Sequence, residues 1–398
     1  MSLELTAVVA GHICLDIIPQ FDTLLPGEFA SLFQPGRLIE VGPAVLSTGG
    51  AASNTGLALH KLGVPTRLMG KVGDDLFGKA VLDIIRSHGQ GLEMGMVVDK
   101  NTSTSYSVII NPPGFDRLFL NNPGANETFS VADIRYDLVA QAALFHFGYP
   151  TVMRRMFENN GLGLTQLFKQ AKATGVTTSL DLTFPDPASA GGRADWPAIF
   201  QAVLAEVDIF TPSIEELLFL LRRETYSRLL QAAGNRSILE LVTAELLSDV
   251  SDELLGLGVK IIMLKLGERG VYLRTANQLL LQRMGRASPV DCSAWADQEL
   301  WAPSFQVDVV GTTGSGDAAI AGFFSGLLRG MSPKDALTAA SAVGACNVEA
   351  ADALSGIRSW EATQARVANG WQQHPLQLPN HDWRWDDEHQ LWEKPHQG

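Results

Sequence analysis

The sequence predicts an α/β fold built on a mostly parallel sheet. Apolar, β-branched runs alternate with longer segments whose apolar residues recur at helical spacing, as in 143–148 followed by 153–174. The chain has 398 residues, of which 46% are hydrophobic, so it is long enough to bury a large core. We therefore expect either one large α/β domain with an appendage or two domains of ordinary size.

The same patterns predict the individual elements. The predicted strands are 5–10, 66–71, 143–148, 177–181, 209–212, 260–265 and 270–274. The predicted helices are 51–62, 77–88, 153–174, 214–221, 244–257, 318–329 and 333–349. Strands that alternate with helices in this way are typical of a parallel sheet covered by helices.

Three regions interrupt the alternation. Residues from about 20 to 47 and from about 93 to 120 contain short alternating pieces, which predict strands outside the main sheet in a small β-sheet lid. Residues 284–303 lack a clear period and predict a surface insertion. Residues 371–398 form a Trp-rich tail, which we interpret as a strap whose indoles dock on the domain surface or on a partner subunit.

Charge and composition exclude several classes of function. A net charge of -13 argues against a nucleic-acid partner, because phosphate backbones require clustered Lys and Arg. No segment approaches the roughly 20 apolar residues of a membrane span, and the N-terminal stretch lacks the basic lead of a signal peptide. Cys14, Cys292 and Cys346 are far apart, which disfavours disulfides and zinc sites. We expect a cytoplasmic protein.

The strongest chemical signal is the segment 309–330. An apolar run leads into the backbone amides of Gly314, Ser315 and Gly316, followed by Asp317 and a segment with helical period. Amides at a helix N-terminus, together with the helix dipole, suit a phosphate group. A carboxylate would repel that phosphate, so we interpret Asp317 as the group that accepts a proton from an attacking hydroxyl.

Weaker signals indicate an acceptor site. The turn at Gly49 and Gly50 precedes a small-residue helix start that contains Asn54, whose amide offers both a donor and an acceptor to sugar hydroxyls. Asp16 is expected at the carboxyl end of the first strand, where ligands of parallel sheets collect. Each of these residues, taken alone, is equally consistent with a turn or a cap.

Two other features have plain structural interpretations. The segment 73–80 contains the Gly-x4-Gly-Lys core of a phosphate-binding loop, but it ends in Ala80 where Ser or Thr is required. We predict instead a turn capped by an Asp that leads into the helix at Phe77. His146 lies in an apolar strand and is predicted to be a hydrogen-bonded interior histidine.

Taken together, the motifs resemble the ribokinase-like carbohydrate kinase family, often called the PfkB family. The first motif is GGAASN at 49–54, continuing through KLG at 61–63 to GKVGDD at 70–75. The second is TTGSGD at 312–317 with its apolar helix. Weaker features connect them, namely the start of the chain, TPSIEEL from residue 211, KLGERGVYL from residue 265, and CN at 346–347. The resemblance covers roughly residues 5–360.

The resemblance implies a three-layer α/β/α ribokinase-like domain over residues 1–370, with a β lid, that uses ATP and Mg²⁺ to phosphorylate a sugar-type alcohol. Asp317 corresponds to the general base, and Gly314, Ser315 and Gly316 correspond to the anion hole. The implied acceptor-binding residues are Asp16, Gly49, Gly50 and Asn54. The implied nucleotide-binding residues are Ser213, Lys265, Gly267, Gly270, Thr313 and Asn347, with Glu216 near the magnesium through water.

Two departures from the family pattern are visible. Ser213 replaces the usual Asn three residues before Glu216, and Gly311 replaces the usual Asp before Thr-Thr-Gly, which leaves activation by a monovalent cation such as potassium open. These departures keep a second class open, a sugar- or nucleoside-binding regulator that has lost catalysis.

Within the enzyme class, a nucleoside or a sugar phosphate could replace the free sugar as acceptor. A phosphorylated acceptor would need cations near the lid, and Arg37, Lys100 and Arg117 are the candidates. We expect a homodimer, because lid strands with open edges can pair between subunits.

Overall fold

The computed structural model describes residues 6–21, 35–36, 38–111, 118–378 and 382–395. The β-strands are β1 Ala7–Gly11, β2 Cys14–Pro19, β3 Ala44–Gly49, β4 Thr66–Met69, β5 Lys71–Gly73, β6 Val97–Asp99, β7 Tyr106–Ile110, β8 Leu118–Asn122, β9 Leu144–Gly148, β10 Thr177–Asp181, β11 Ile209–Phe210, β12 Ile261–Lys265, β13 Val271–Thr275, β14 Glu299–Ala302, β15 Arg384–Asp386 and β16 Leu391–Glu393. The α-helices are α1 Ala51–Lys61, α2 Leu76–His88, α3 Tyr136–Val139, α4 Arg154–Ala173, α5 Trp196–Val203, α6 Ile214–Leu221, α7 Arg223–Ala233, α8 Ala244–Gly256, α9 Gln278–Leu281, α10 Cys292–Trp295, α11 Ser315–Leu328, α12 Pro333–Asn347 and α13 Trp360–Ala368.

A ten-stranded sheet runs through the described part of the chain. Its strand order is β15-β16-β14-β13-β12-β11-β10-β9-β1-β4. The strands from β4 to β12 in this order pair in parallel, and the strands from β13 to β15 pair antiparallel. The predicted mostly parallel sheet is therefore confirmed, and the antiparallel strands extend it at one edge.

Helices cover both faces of this sheet. Alternate residues of β1 enter two different apolar cores: Val8 and Ala10 pack with α4, while Ala7 and Val9 pack with α1 and α11. All four side chains are 0% exposed. Burial on both faces explains why the parallel strands read as continuous apolar runs in the sequence.

The predicted lid is present as a second sheet with the strand order β3-β2-β7-β8. Both predicted lid regions contribute strands, and the predicted lid residues 22–34, 37 and 112–117 lie outside the described residues. The position expected for Asp16 was wrong, because β1 ends at Gly11 and Asp16 lies on the lid strand β2. The chain turns at Gly11, which has a φ of 128° that favours glycine, and then enters the lid.

The interpretation of residues 284–303 as a surface insertion was wrong. This segment contributes the strand β14 to the main sheet, and Trp295 and Trp301 are almost completely buried. The tail docks on the domain as predicted, and it does so as strands, since the hairpin β15–β16 continues the sheet beyond β14. Strands of three or four residues are too short to show a period.

The predicted helices are all present, with small differences in bounds. Helix α11 begins at Ser315, three residues before the predicted start, so Asp317 lies within its first turn. Helix α4 is interrupted at residues 158–161, where the backbone leaves the helical conformation. The helices α5, α7 and α13 and the one-turn helices α3, α9 and α10 were not predicted. Within the described ranges no helix has the length and apolar character needed to cross a membrane.

Candidate active site

The two sequence motifs meet at the carboxyl ends of the parallel strands. Helix α1 begins directly after Gly50, and helix α11 begins directly after Gly314. Asn54 and Asp317 are 263 residues apart in sequence, yet their side chains are hydrogen-bonded. This edge of the sheet is where ligands bind in open parallel α/β folds.

Asp317 is held by three donors. Asp317 is buried, with only 2% of its surface exposed. Oδ2 accepts from Asn54 Nδ2 at 3.1 Å and from the hydroxyl of Tyr149 at 2.7 Å, and Oδ1 accepts from Thr55 Oγ1 at 2.8 Å. A carboxylate has about four acceptor positions. Among the described residues, one acceptor position, on Oδ1, therefore has no donor.

The amides before Asp317 form the start of helix α11. Gly314 has a φ of 72°, which favours glycine, and precedes the first helical residue. The amides of Gly314 and Gly316 have no hydrogen bond to any described residue, whereas the amide of Ser315 donates to the carbonyl of Thr312 at 3.3 Å. Amides that remain unpaired at a helix N-terminus can bind an anion.

Lys265 brings a positive charge to these amides. It lies at the end of β12, and a β-carbon placed on Gly316 would lie only 3.4 Å from its Nζ. Nζ contacts Asp181 Oδ1 at 2.7 Å. Burial alone would lower the pKa of Lys265, but the charges of Asp181 and Glu216 outweigh burial and raise that pKa. The ammonium therefore stays charged beside the start of α11.

Asp16 approaches the Gly49–Gly50 turn closely. A β-carbon on Gly49 would lie 2.3 Å from Asp16 Oδ2, so only glycine allows this contact. Asp16 is 7% exposed, and its Oδ1 accepts from the thiol of Cys14 at 3.3 Å. Burial raises the pKa of Asp16 to about 6. No cation among the described residues forms an ion pair with this carboxylate, so it is available to hydroxyl donors.

Two polar atoms near this turn are buried and have no hydrogen-bond partner in the described structure, namely His12 Nδ1 and Asn54 Oδ1. His12 lies next to Gly50, since a β-carbon there would be 2.6 Å from Nδ1. Burial lowers the pKa of His12 to about 4, so the ring is neutral at physiological pH. Buried polar groups normally have partners, so these two atoms indicate a polar ligand.

Ser213 and Glu216 form a capping box at the start of α6. Ser213 N donates to Glu216 Oε2 at 2.7 Å, and Glu216 N donates to Ser213 Oγ at 3.1 Å. One carboxylate oxygen of Glu216 remains for water. Within the described ranges no three side chains of the His, Cys, Asp and Glu types cluster as direct metal ligands. Glu216 and the neighbouring acids fit a magnesium ion that keeps several of its own waters.

The other residues predicted to bind the nucleotide lie in turns and loops around the site and at the end of α12. Gly267 and Gly270 have φ values of 55° and 88° in the turn after β12, and a β-carbon on Gly270 would lie 2.0 Å from a carbonyl oxygen. Asn347 is 0% exposed, and its Nδ2 donates to the carbonyl of Ala353 at 2.6 Å. Asn347 thus anchors the loop that follows α12. Thr313 is half-buried directly before the amides.

Four residues of the site were not predicted from the sequence, namely Tyr149, Asp181, Thr55 and His12. Asp181 ends the predicted strand 177–181, and Tyr149 follows the predicted strand 143–148, so both had a positional signal at the ligand edge. Thr55 directly follows Asn54 in the sequence. His12 had no signal beyond its proximity to Asp16 in sequence.

The capped turn at 73–80 and the interior position of His146 are confirmed, although Nε2 of His146 has no hydrogen-bond partner among the described residues. His146 is 0% exposed, and its Nδ1 is hydrogen-bonded to Ser179 Oγ at 3.0 Å. Asp75 caps helix α2, with Oδ1 accepting from Gly78 N at 2.8 Å. The segment 73–80 is therefore a capped turn and helix start.

Comparisons with known proteins agree with this architecture. Residues 7–360 match the family described as "pfkB family carbohydrate kinase". Fructokinase-2 of Oryza sativa subsp. japonica is 26% identical over 292 residues, which cover 71% of this chain and 71% of the rice protein. Fructokinase-2 of Zea mays is 25% identical over 319 residues, which cover 78% of this chain and 76% of the maize protein.

Solved structures share the fold. Arabidopsis thaliana ribokinase, solved with ribose and ATP, has a TM-score of 0.64 at 21% identity, covering 91% of this chain and 98% of that chain. Xylella fastidiosa fructokinase, solved with bound ATP, has a TM-score of 0.64 at 18% identity, with coverages of 91% and 98%. The predicted ribokinase-like fold is confirmed.

Proposed function

The chain belongs to the pfkB family of carbohydrate kinases, and from that premise we propose that it transfers the γ-phosphoryl group of ATP to a hydroxyl of a free sugar. One observation carries the proposal: a buried carboxylate lies directly beside helix amides and a charged lysine, and the described residues leave one acceptor position of the carboxylate and these amides unpaired. Asp317, Gly316 and Lys265 supply these groups. A base beside an anion site is what phosphoryl transfer to an alcohol requires.

Asp317 acts as the general base in this mechanism. Its Oδ1 accepts the proton of the acceptor hydroxyl while that oxygen attacks the γ-phosphorus of ATP. Thr55, Asn54 and Tyr149 fix the carboxylate so that no reorientation is needed. General base catalysis of this kind contributes about 10²- to 10⁴-fold to the rate.

The anion hole stabilises the charge on the transferring phosphoryl oxygens. We assign this role to the backbone of Gly314, Ser315 and Gly316 together with the dipole of α11, with Thr313 leading into the loop. Each well-placed donor is worth about 3 kcal/mol. The ammonium of Lys265 adds a full positive charge, and Asp181 holds that ammonium beside Gly316.

The acceptor site is lined by hydrogen-bonding groups that suit hydroxyls. Asp16 and Asn54 Oδ1 accept from hydroxyls, and the neutral ring of His12 can accept or donate. The names of the relatives, fructokinase and ribokinase, support a free sugar. Of the three cations considered for a phosphorylated acceptor, Lys100 is exposed outside the lid sheet, and Arg37 and Arg117 lie outside the described residues.

Magnesium would enter with ATP and be held through water by Glu216, with Ser213 as a second polar contact. Bound there, the ion would neutralise charge on the phosphate oxygens. A monovalent cation is not expected to be needed. A β-carbon on Gly311 would lie 3.0 Å from the carbonyl oxygen of Ala350, so this loop lacks room for the usual Asp without a backbone shift.

We also propose that the protein is a cytoplasmic homodimer that pairs through its lid. The lid exposes apolar side chains on two of its strands, since Leu46 of β3 is 52% exposed and Leu120 of β8 is 50% exposed. Apolar surface beside open strand edges favours association between copies. Light scattering after size-exclusion chromatography measures the mass and would reveal a monomer if this proposal is wrong.

The decisive experiment measures ADP formation with Mg-ATP and a panel of acceptors. The panel contains D-fructose, D-ribose, fructose 6-phosphate and adenosine, and the control is Asp317→Asn. We expect ADP formation that depends on a free sugar and that the variant loses. A sugar that binds the wild-type protein without any ADP formation would instead identify a regulator that has lost catalysis.

A further inference from the structure

Tyr149 occupies an unusual position in the site. It directly follows β9 and has φ 66° and ψ 40°, in the left-handed region that bulky residues rarely adopt. Backbone strain of this kind persists only where the surrounding structure imposes it, and it concentrates at functional sites. The conformation of Tyr149 therefore needs an explanation in terms of its side chain.

The phenol of Tyr149 contacts the base directly. Its hydroxyl donates to Asp317 Oδ2 at 2.7 Å, and Asn54 Nδ2 donates to the same oxygen at 3.1 Å. Both acceptor positions of Oδ2 are then occupied. Thr55 donates to one of the two acceptor positions on Oδ1, and no described residue donates to the second. The three donors together therefore determine that Oδ1 is the oxygen that can receive a proton.

We propose that Tyr149 is the positioning residue of the catalytic base, holding Asp317 so that Oδ1 faces the acceptor hydroxyl. This inference rests on the proposed function, in which Asp317 is the base. Because Tyr149 and Asn54 occupy both acceptor positions of Oδ2, the acceptor position left open by the described residues lies on Oδ1.

The surrounding charges keep Tyr149 a donor. Burial first, and then the negative charges of Asp317 and Asp181, raise the pKa of Tyr149 well above its usual range. Lys265 at the end of β12 and Asp181 at the end of β10 also interact electrostatically with the Asp317 carboxylate, and Glu216 on α6 interacts with Tyr149. Helix α1 contributes only the neutral donors Asn54 and Thr55.

The test is Tyr149→Phe, which keeps the ring and removes the hydroxyl. The kcat and the KM values for Mg-ATP and for the panel sugar with the highest turnover are measured for each variant. The matched control is Tyr136→Phe, because the hydroxyl of Tyr136 is buried and has no hydrogen-bond partner among the described residues. Tyr149→Asn is a second variant, since Asn adopts the left-handed conformation readily.

We expect both Tyr149 variants to keep the KM values for Mg-ATP and sugar within about twofold of the wild type and to lose about tenfold in kcat, because a misoriented base slows the chemical step without weakening binding. The Tyr136 variant should match the wild type. A wild-type kcat in a folded Tyr149→Phe protein, or a loss confined to KM, would overturn the inference.

Failure of this inference can be told from failure of the proposed function. If Asp317→Asn keeps the wild-type turnover, Asp317 is not the base, and both the proposed mechanism and this inference are wrong. An inactive Asp317→Asn beside an unchanged Tyr149→Phe would remove only the role of Tyr149.

Discussion

Asp16→Asn is expected to stabilise the protein while impairing acceptor binding. Burial raises the pKa of Asp16 from 3.8 to about 6, so ionising this side chain opposes folding. A shift of about 2 units corresponds to about 3 kcal/mol. The pKa of Asp16 is higher in the folded state than in the unfolded chain. The protein is therefore most stable, as far as this group is concerned, below pH 3.8, and this stability is lost as the pH rises through about 6.

The asparagine variant removes this cost, because it carries no charge at any pH. At pH 7.5 we expect a gain of about 3 kcal/mol, which for a chain of 398 residues corresponds to a rise in Tm of roughly 4 °C. At pH 4.5 the gain should fall to about 1 kcal/mol, since the wild-type carboxyl is then largely protonated in the folded state.

The assay is thermal unfolding of both proteins at the two pH values, together with the KM for the acceptor sugar at the higher pH. Asp74→Asn is the control, because it removes a carboxylate that is exposed. The KM should rise about tenfold or more, since a hydrogen bond to a charged group is lost. A gain in Tm that does not shrink at low pH would refute the assignment of the effect to the charge of Asp16.

The remaining predictions concern the phosphoryl group. Asp317→Asn should lower kcat by about 10²- to 10⁴-fold and leave the ATP Kd from calorimetry within about twofold, and a variant with wild-type kcat would exclude it as the base. Lys265→Met should lower kcat by about 100-fold, because the phosphoryl charge loses its neighbouring cation, and unchanged kinetics would place Lys265 outside the anion hole. Replacing potassium with sodium or choline should leave kcat unchanged within about twofold, because Gly311 has no side chain to organise a cation loop; strict potassium dependence would contradict this.

Local patterns predict the body of the fold and the centre of the site. Helical spacing and apolar runs depend on neighbours in sequence, so the parallel strands and the main helices were correct to within a few residues. The Gly-rich turn before Asp317 and the turn at Gly49 were visible for the same reason. The strands β14, β15 and β16 were not, because short strands take their stability from pairing with distant segments.

The sequence by itself determined the fold class, the family, and the residue types from which a base and an anion site are proposed. The tertiary structure decided which other side chains contact Asp317 and Lys265. Tyr149, Thr55 and Asn54 reach Asp317 across separations of 168 to 263 residues, and Asp181 reaches Lys265 across 84. Contacts at such distances depend on how strands and helices pack, and no local pattern encodes them.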